Sequence, residues 1–121
     1  MEYRIATISD CEALTDIRMQ MRKELDADFH SELIYAETLD FFKRNIKNGT
    51  HIAFICEHNR QIIATAGITL FEIIPTTEHP NGKVARLMNM YVAPFFRNKG
   101  IAKELLNRIM AYAEKHGIGK V

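Results

Sequence analysis

The sequence predicts a mixed α/β domain, a largely antiparallel sheet flanked by helices, and two patterns carry that prediction. Segments 51–57, 61–71 and 84–93 are rich in β-branched and aromatic residues and follow one another with no helix between them, so neighbours pair antiparallel. Segments 10–26, 37–47 and 100–116 carry apolar residues at helical spacing. The chain has 121 residues, room for one domain at roughly 100–200 residues each.

Residues 2–7 alternate loosely and predict a short strand. Ser9, with Glu12 three residues on, fits a capping box that opens the first helix. Leu14, Ile17, Met21 and Leu25 form its apolar stripe. Leu39, Phe42 and Ile46 mark one face of the second helix, and Asn48-Gly49 ends it, because both tolerate the left-handed conformation. His58-Asn59-Arg60 joins the first two long strands as a hairpin. Gly67 inside the second of these predicts a bulge or a close backbone approach. Pro75, Pro80 and Asn81-Gly82 make 72–83 a loop, and Pro94 stops the next strand. Leu105, Leu106, Ile109, Met110 and Ala113 stripe the third helix, and Gly117 stops it. Gly119-Lys120-Val121 reads as the start of a further strand.

Composition narrows the function. Apolar residues at 47% and charged residues at 26% are those of a globular domain, not a disordered one. Sixteen Lys and Arg against fifteen Asp and Glu leave +1, too little for a nucleic-acid binder relying on bulk charge. No apolar run reaches the ~18–20 residues of a membrane span, and no secretory signal opens the chain. Cys11 and Cys56 make no disulfide framework and read as reduced, buried thiols, so a cytoplasmic protein is expected.

One segment carries chemistry. A strand ends at Tyr91-Val92-Ala93-Pro94, a basic turn follows, and a helix begins at once. Amides at a helix start have no intrahelical partner and bind phosphate well. Arg97 and Lys99 add charge beside them, which suits a diphosphate. By itself the junction also reads as a solvated turn, since strand–turn–helix junctions with one glycine are common. No P-loop and no Gly-x-Gly-x-x-Gly fingerprint is present.

The stretch Arg97-Asn98-Lys99-Gly100-Ile101-Ala102, after Met90-Tyr91-Val92-x-Pro94 and before Leu105-Leu106, resembles the acetyl-coenzyme A signature of the GNAT superfamily of N-acetyltransferases. The order of elements from residue 2 onward is similar too. The resemblance implies acetyl-CoA as cosubstrate. Its diphosphate would lie on the turn from Arg97 through Asn98, Lys99, Gly100 and Ile101 to Ala102, and its pantetheine along Met90, Tyr91 and Val92. It also implies a cytoplasmic enzyme passing acetyl to a primary amine, on a small molecule or a peptide, by direct attack on the thioester, with backbone donors near Val92 polarising the carbonyl. The family continues beyond this helix with further strands. The expectation is therefore a single GNAT-like domain over 1–121 without its C-terminal part: either 1–121 is a fragment of a longer domain, or the chain associates through its open sheet edge with a second copy or a partner.

The strand at 84–93 offers no carboxylate as a general base, and Arg86 stands where some family members have glutamate. Glu72 and Asn89 are the candidates to hold a water or the amine, against readings as a strand-end charge and a satisfied core amide. His51 and His58 read as surface residues, and His79 as loop surface that could line the acceptor side. The histidines share no metal-ligand spacing, so no metal is expected. Cys56 lacks a paired histidine and reads as inert core. Phe95 and Phe96 read as packing at the turn. Two other readings stay open: an acyl-CoA-binding sensor or regulatory module without catalysis, and an interaction domain keeping only the scaffold.

Overall fold

The computed structural model describes residues 1–121. Its elements are β1 (Glu2–Ile5), α1 (Cys11–Leu25), α2 (Tyr35–Asn48), β2 (His51–His58), β3 (Gln61–Glu72), β4 (Lys83–Val92) and α3 (Ile101–Lys115), with short 3-10 turns at Ile8–Asp10, Ser31–Leu33 and Pro94–Phe96. The four strands form one antiparallel sheet in the order β1-β2-β3-β4.

The sheet has helices on both faces, so its central strands are apolar on both sides. On β2, Ile52, Phe54 and Cys56 join one core with Leu105, Ile109 and Ala113 of α3. Ala53 and Ile55 join the other, with Leu14 of α1 and Phe42 of α2. Burying a side chain such as Leu105 or Ile109 contributes about 1.5–3 kcal/mol. The two thiols sit in different cores, Cys56 in the first and Cys11 in the second, both without a disulfide. Burial pushes both thiols up, which keeps them unreactive.

Several local expectations shift. The capping box forms two residues earlier than Ser9–Glu12, at Thr7–Asp10: the Asp10 carboxylate accepts from the Thr7 backbone N–H at 2.7 Å. Arg4 of β1 fixes Asp10 there with two bonds of 2.8 and 2.9 Å, so a tertiary ion pair chooses between two similar local motifs. The α1 stripe is rotated: Cys11, Leu14, Thr15 and Met19 are buried, and Leu25 is exposed. In α3, Met110 is exposed rather than packed. The β2–β3 hairpin turns on two residues only, Asn59 and Arg60, both at positive φ, as the twist of such a hairpin requires.

Gly67 marks a close approach, and the nearby bulge lies on its partner strand. Opposite Thr65 and Gly67, β4 runs from Tyr91 to Met88, so β4 carries one extra residue. Asn89 takes it up at φ 58. A Cβ on Gly67 would lie 2.7 Å from the His51 ring. After α3 the chain turns at Gly117 and runs back beside β4: Gly119 N–H donates to the Lys83 carbonyl at 2.9 Å, and Ala85 N–H donates to the Lys120 carbonyl at 2.7 Å. Past Ala85 the outer edge of β4 has no neighbouring strand.

Candidate functional site

The end of β4, the turn after it and the first turn of α3 form one wall of a cleft of about 800 Å³. Met90, Tyr91, Val92, Arg97, Asn98, Gly100, Ile101 and Ala102 line it. Lys99 stands beside them, exposed on the same turn and outside the lining. The opposite wall is α1, through Met21, Glu24 and Leu25. The exposed Leu25 is thus part of a cleft rather than a stray surface residue.

The turn is built to present amides. Asn98 and Gly100 both take positive φ, 63° and 81°. The amides of Asn98, Lys99, Gly100, Ile101, Ala102 and Lys103 have no acceptor within the chain; the first helical bond is Glu104 N–H to the Gly100 carbonyl at 3.1 Å. Six free donors at the positive end of a helix are suited to a phosphate-bearing ligand. A Cβ on Gly100 would meet open space, so what requires glycine here is the left-handed backbone.

Glu24 joins the two walls. Its carboxylate accepts from the Tyr91 hydroxyl and, at 3.0 Å, from Arg97 Nη2. Arg97 Nε also donates to the Val92 carbonyl at 2.8 Å, and the guanidinium stacks over the Tyr91 ring. The bonds from Tyr91 and Arg97 hold Glu24 below the usual carboxylate range. Partial burial, reinforced by the Glu24 charge, pushes Tyr91 up to about 12, so it stays a protonated donor.

A model of the GNAT acetyltransferase family matches residues 14–121. The chain belongs to that family. A predicted acetyltransferase of Clostridium acetobutylicum solved with acetyl-CoA is 32% identical, with a TM-score of 0.86, over 98% of this chain and 77% of that one. A GCN5-related N-acetyltransferase of Ralstonia eutropha is 26% identical, TM-score 0.86, over 99% of this chain and 80% of that one. An aminoglycoside acetyltransferase from an uncultured soil metagenomic sample, in complex with sisomicin, is 14% identical, TM-score 0.72, over 99% of this chain and 74% of that one, a likeness of fold. A search of curated proteins finds no match.

Within this acetyltransferase domain, Asn89 lies at the β4 bulge, 8% exposed, its Oδ1 accepting from Arg18 Nη1 at 3.5 Å. Glu72 is not brought to the cleft. It is exposed at the far end of β3 opposite Lys83, about 15–20 Å along the sheet from Asn89. His79 packs against Gly119, near the start of β4. His51 is not a surface residue: it is 2% exposed, covered by Phe41 and Phe42 of α2, with Nδ1 2.9 Å from Thr69 Oγ1. His58 is half-buried against Phe96, while Phe95 is exposed.

Proposed function

We propose that this family member transfers acetyl from acetyl-CoA to a primary amine by direct attack. The six free amides of 98–103, at the mouth of a cleft that continues along the open edge of β4, carry that reading. The residues present fit the cosubstrate. Amides of the turn, with Arg97 and Lys99 beside them, would hold its diphosphate, and the edge from Met90 to Val92 its pantetheine. Bound there, acetyl-CoA supplies an activated acetyl thioester.

The remaining chemistry falls to this chain's own groups. Unpaired backbone donors on the outer edge of β4 polarise a carbonyl placed against them. Asn89, at the bulge where β4 departs from regular pairing, holds the amine or the water that takes its proton. Glu24 serves structure: it fixes Tyr91 and Arg97, and both its carboxylate oxygens accept hydrogen bonds.

The test is a calorimetric titration with coenzyme A, followed by an assay of thiol release with a panel of amines. Coenzyme binding and amine-dependent release are expected. Coenzyme binding without transfer to any amine would favour the sensor reading, which the lack of a carboxylate on β4 supports. No coenzyme binding by the folded protein would leave only a scaffold.

A further inference from the structure

A second cavity, of about 320 Å³, lies further back along α1 and β4, walled chiefly by α2. Arg18, one turn before Met21 on α1, lines it, with Met88 and Asn89 of β4, Phe41 and Phe42 of α2, and His51. Resting on the acetyltransferase reading, we propose that the acceptor is a small amine that also carries a carboxylate, seated on the Arg18 guanidinium with its apolar body against Phe41, Phe42 and Met88.

Two arginines in the chain are withdrawn from solvent to an intermediate degree, Arg4 and Arg18. Arg4 is ion-paired with both Asp10 and Glu57. Arg18 has no carboxylate partner; its one side-chain hydrogen bond is the 3.5 Å bond to the neutral Asn89. Burial, and then repulsion from Arg22, lower its affinity for its own proton. A cation taken from water without a counter-ion is uncompensated, and a ligand carboxylate supplies the missing partner in a two-pronged geometry.

His51 also lines this cavity, its ring edge filling the space that a Gly67 side chain would take. His51 Nε2 is buried and makes no hydrogen bond. Thr69 Oγ1 donates to Met88 Sδ at 3.3 Å and so accepts from His51 Nδ1, which leaves Nε2 as the bare lone pair. Size and charge narrow the class further. The volume is at the low end for ligand pockets, roughly 300–1,000 Å³, and suits one amino acid. The cavity carries one charge of each sign, Arg18 and the exposed Glu37 of α2, which suits a zwitterion better than a polycation. In an α-amino acid the amine and carboxylate share one carbon, so a carboxylate on Arg18 places the amine beside Asn89, where the coenzyme cleft begins at Met90.

The test pairs binding with transfer. By calorimetry, 3-phenylpropionate is expected to bind at least about tenfold more tightly than its neutral amide. Arg18→Ala is expected to erase that preference and Arg18→Lys to keep part of it, with coenzyme A binding unchanged as the check on folding. In the transfer assay phenylalanine is expected to exceed phenylalanine amide, and a Phe-Gly dipeptide tells a free amino acid from a peptide terminus. Equal binding and transfer for acid and amide, or an unaltered preference in Arg18→Ala, would overturn the proposal. Carboxylate preference without coenzyme binding would instead overturn the acetyltransferase reading and leave the Arg18 site standing.

Discussion

Arg97 opens the turn before α3 and reaches back to donate from Nε to the carbonyl oxygen of Val92 at 2.8 Å. The last residue of β4 and the first residue of the amide-rich turn are thereby held in one geometry. Glu24 of α1 secures the same guanidinium at 3.0 Å, so three elements meet at one side chain. One side chain thus ties the turn both to β4 and to α1.

Gly100→Val is expected to weaken coenzyme A binding by at least about tenfold while the fold persists. Gly100 sits at φ 81, where a β-branched residue is strained by roughly 1–3 kcal/mol, and relaxing that strain turns the amides away. Calorimetry with circular dichroism on the same samples checks this; normal affinity in a folded variant would remove the turn from the site.

Glu24→Gln is expected to raise coenzyme A affinity by a few-fold at low salt. It removes a negative charge from a cleft suited to an anion and frees Arg97, and surface pairs of this kind have effects of about that size. The gain should shrink as salt rises. A loss of affinity would mean that holding Arg97 in place matters more than the charge.

Glu72→Gln is expected to leave the pH–rate profile unchanged, because Glu72 lies at the opposite end of the sheet from the bulge. Asn89→Gly keeps the φ of 58 accessible while deleting the amide side chain. It is expected to lower kcat by about ten- to a hundredfold. A wild-type kcat in Asn89→Gly would discharge Asn89 from the reaction.

Stability is expected to fall as pH drops from about 6.5 towards 4. Burial pushes the His51 pKa down to about 4 from its ordinary 6.5. Within that window the unfolded chain takes up a proton that the folded chain refuses, so the stability present above 6.5 is lost progressively, by on the order of 3 kcal/mol at most. Urea midpoints across this range check it. His51→Leu should flatten the dependence; an unchanged slope in that variant would assign it to other groups.

The sequence made some of this legible for physical reasons. The strands at β2 and β3 announce themselves because helices cover both faces and leave almost no polar interruption, and β4 by its run of Val, Leu, Met and Tyr broken at Arg86 and Asn89. The site's turn is legible because it packs its function into consecutive residues, from Arg97 to Ala102. What was hidden depends on tertiary neighbours. Glu24 looks like any charge on an exposed helix face until β4 brings Tyr91 and Arg97 to it. His51 looks like a polar strand end, yet Phe41 and Phe42 roof it and the missing side chain of Gly67 makes room for its ring. The bulge expected at Gly67 lies across the ladder at Asn89, because an open approach on one strand and an extra residue on its neighbour are two halves of one irregularity.

The central claim is that the free amides after β4 receive the coenzyme's phosphates. Amide-resolved NMR of the 15N-labelled protein during titration with coenzyme A tests it most directly. The account predicts that the largest shifts fall on residues 98–103, with a second group on Met90, Tyr91 and Val92. Saturable binding with those amides unmoved, or shifts centred elsewhere on the sheet, would contradict it.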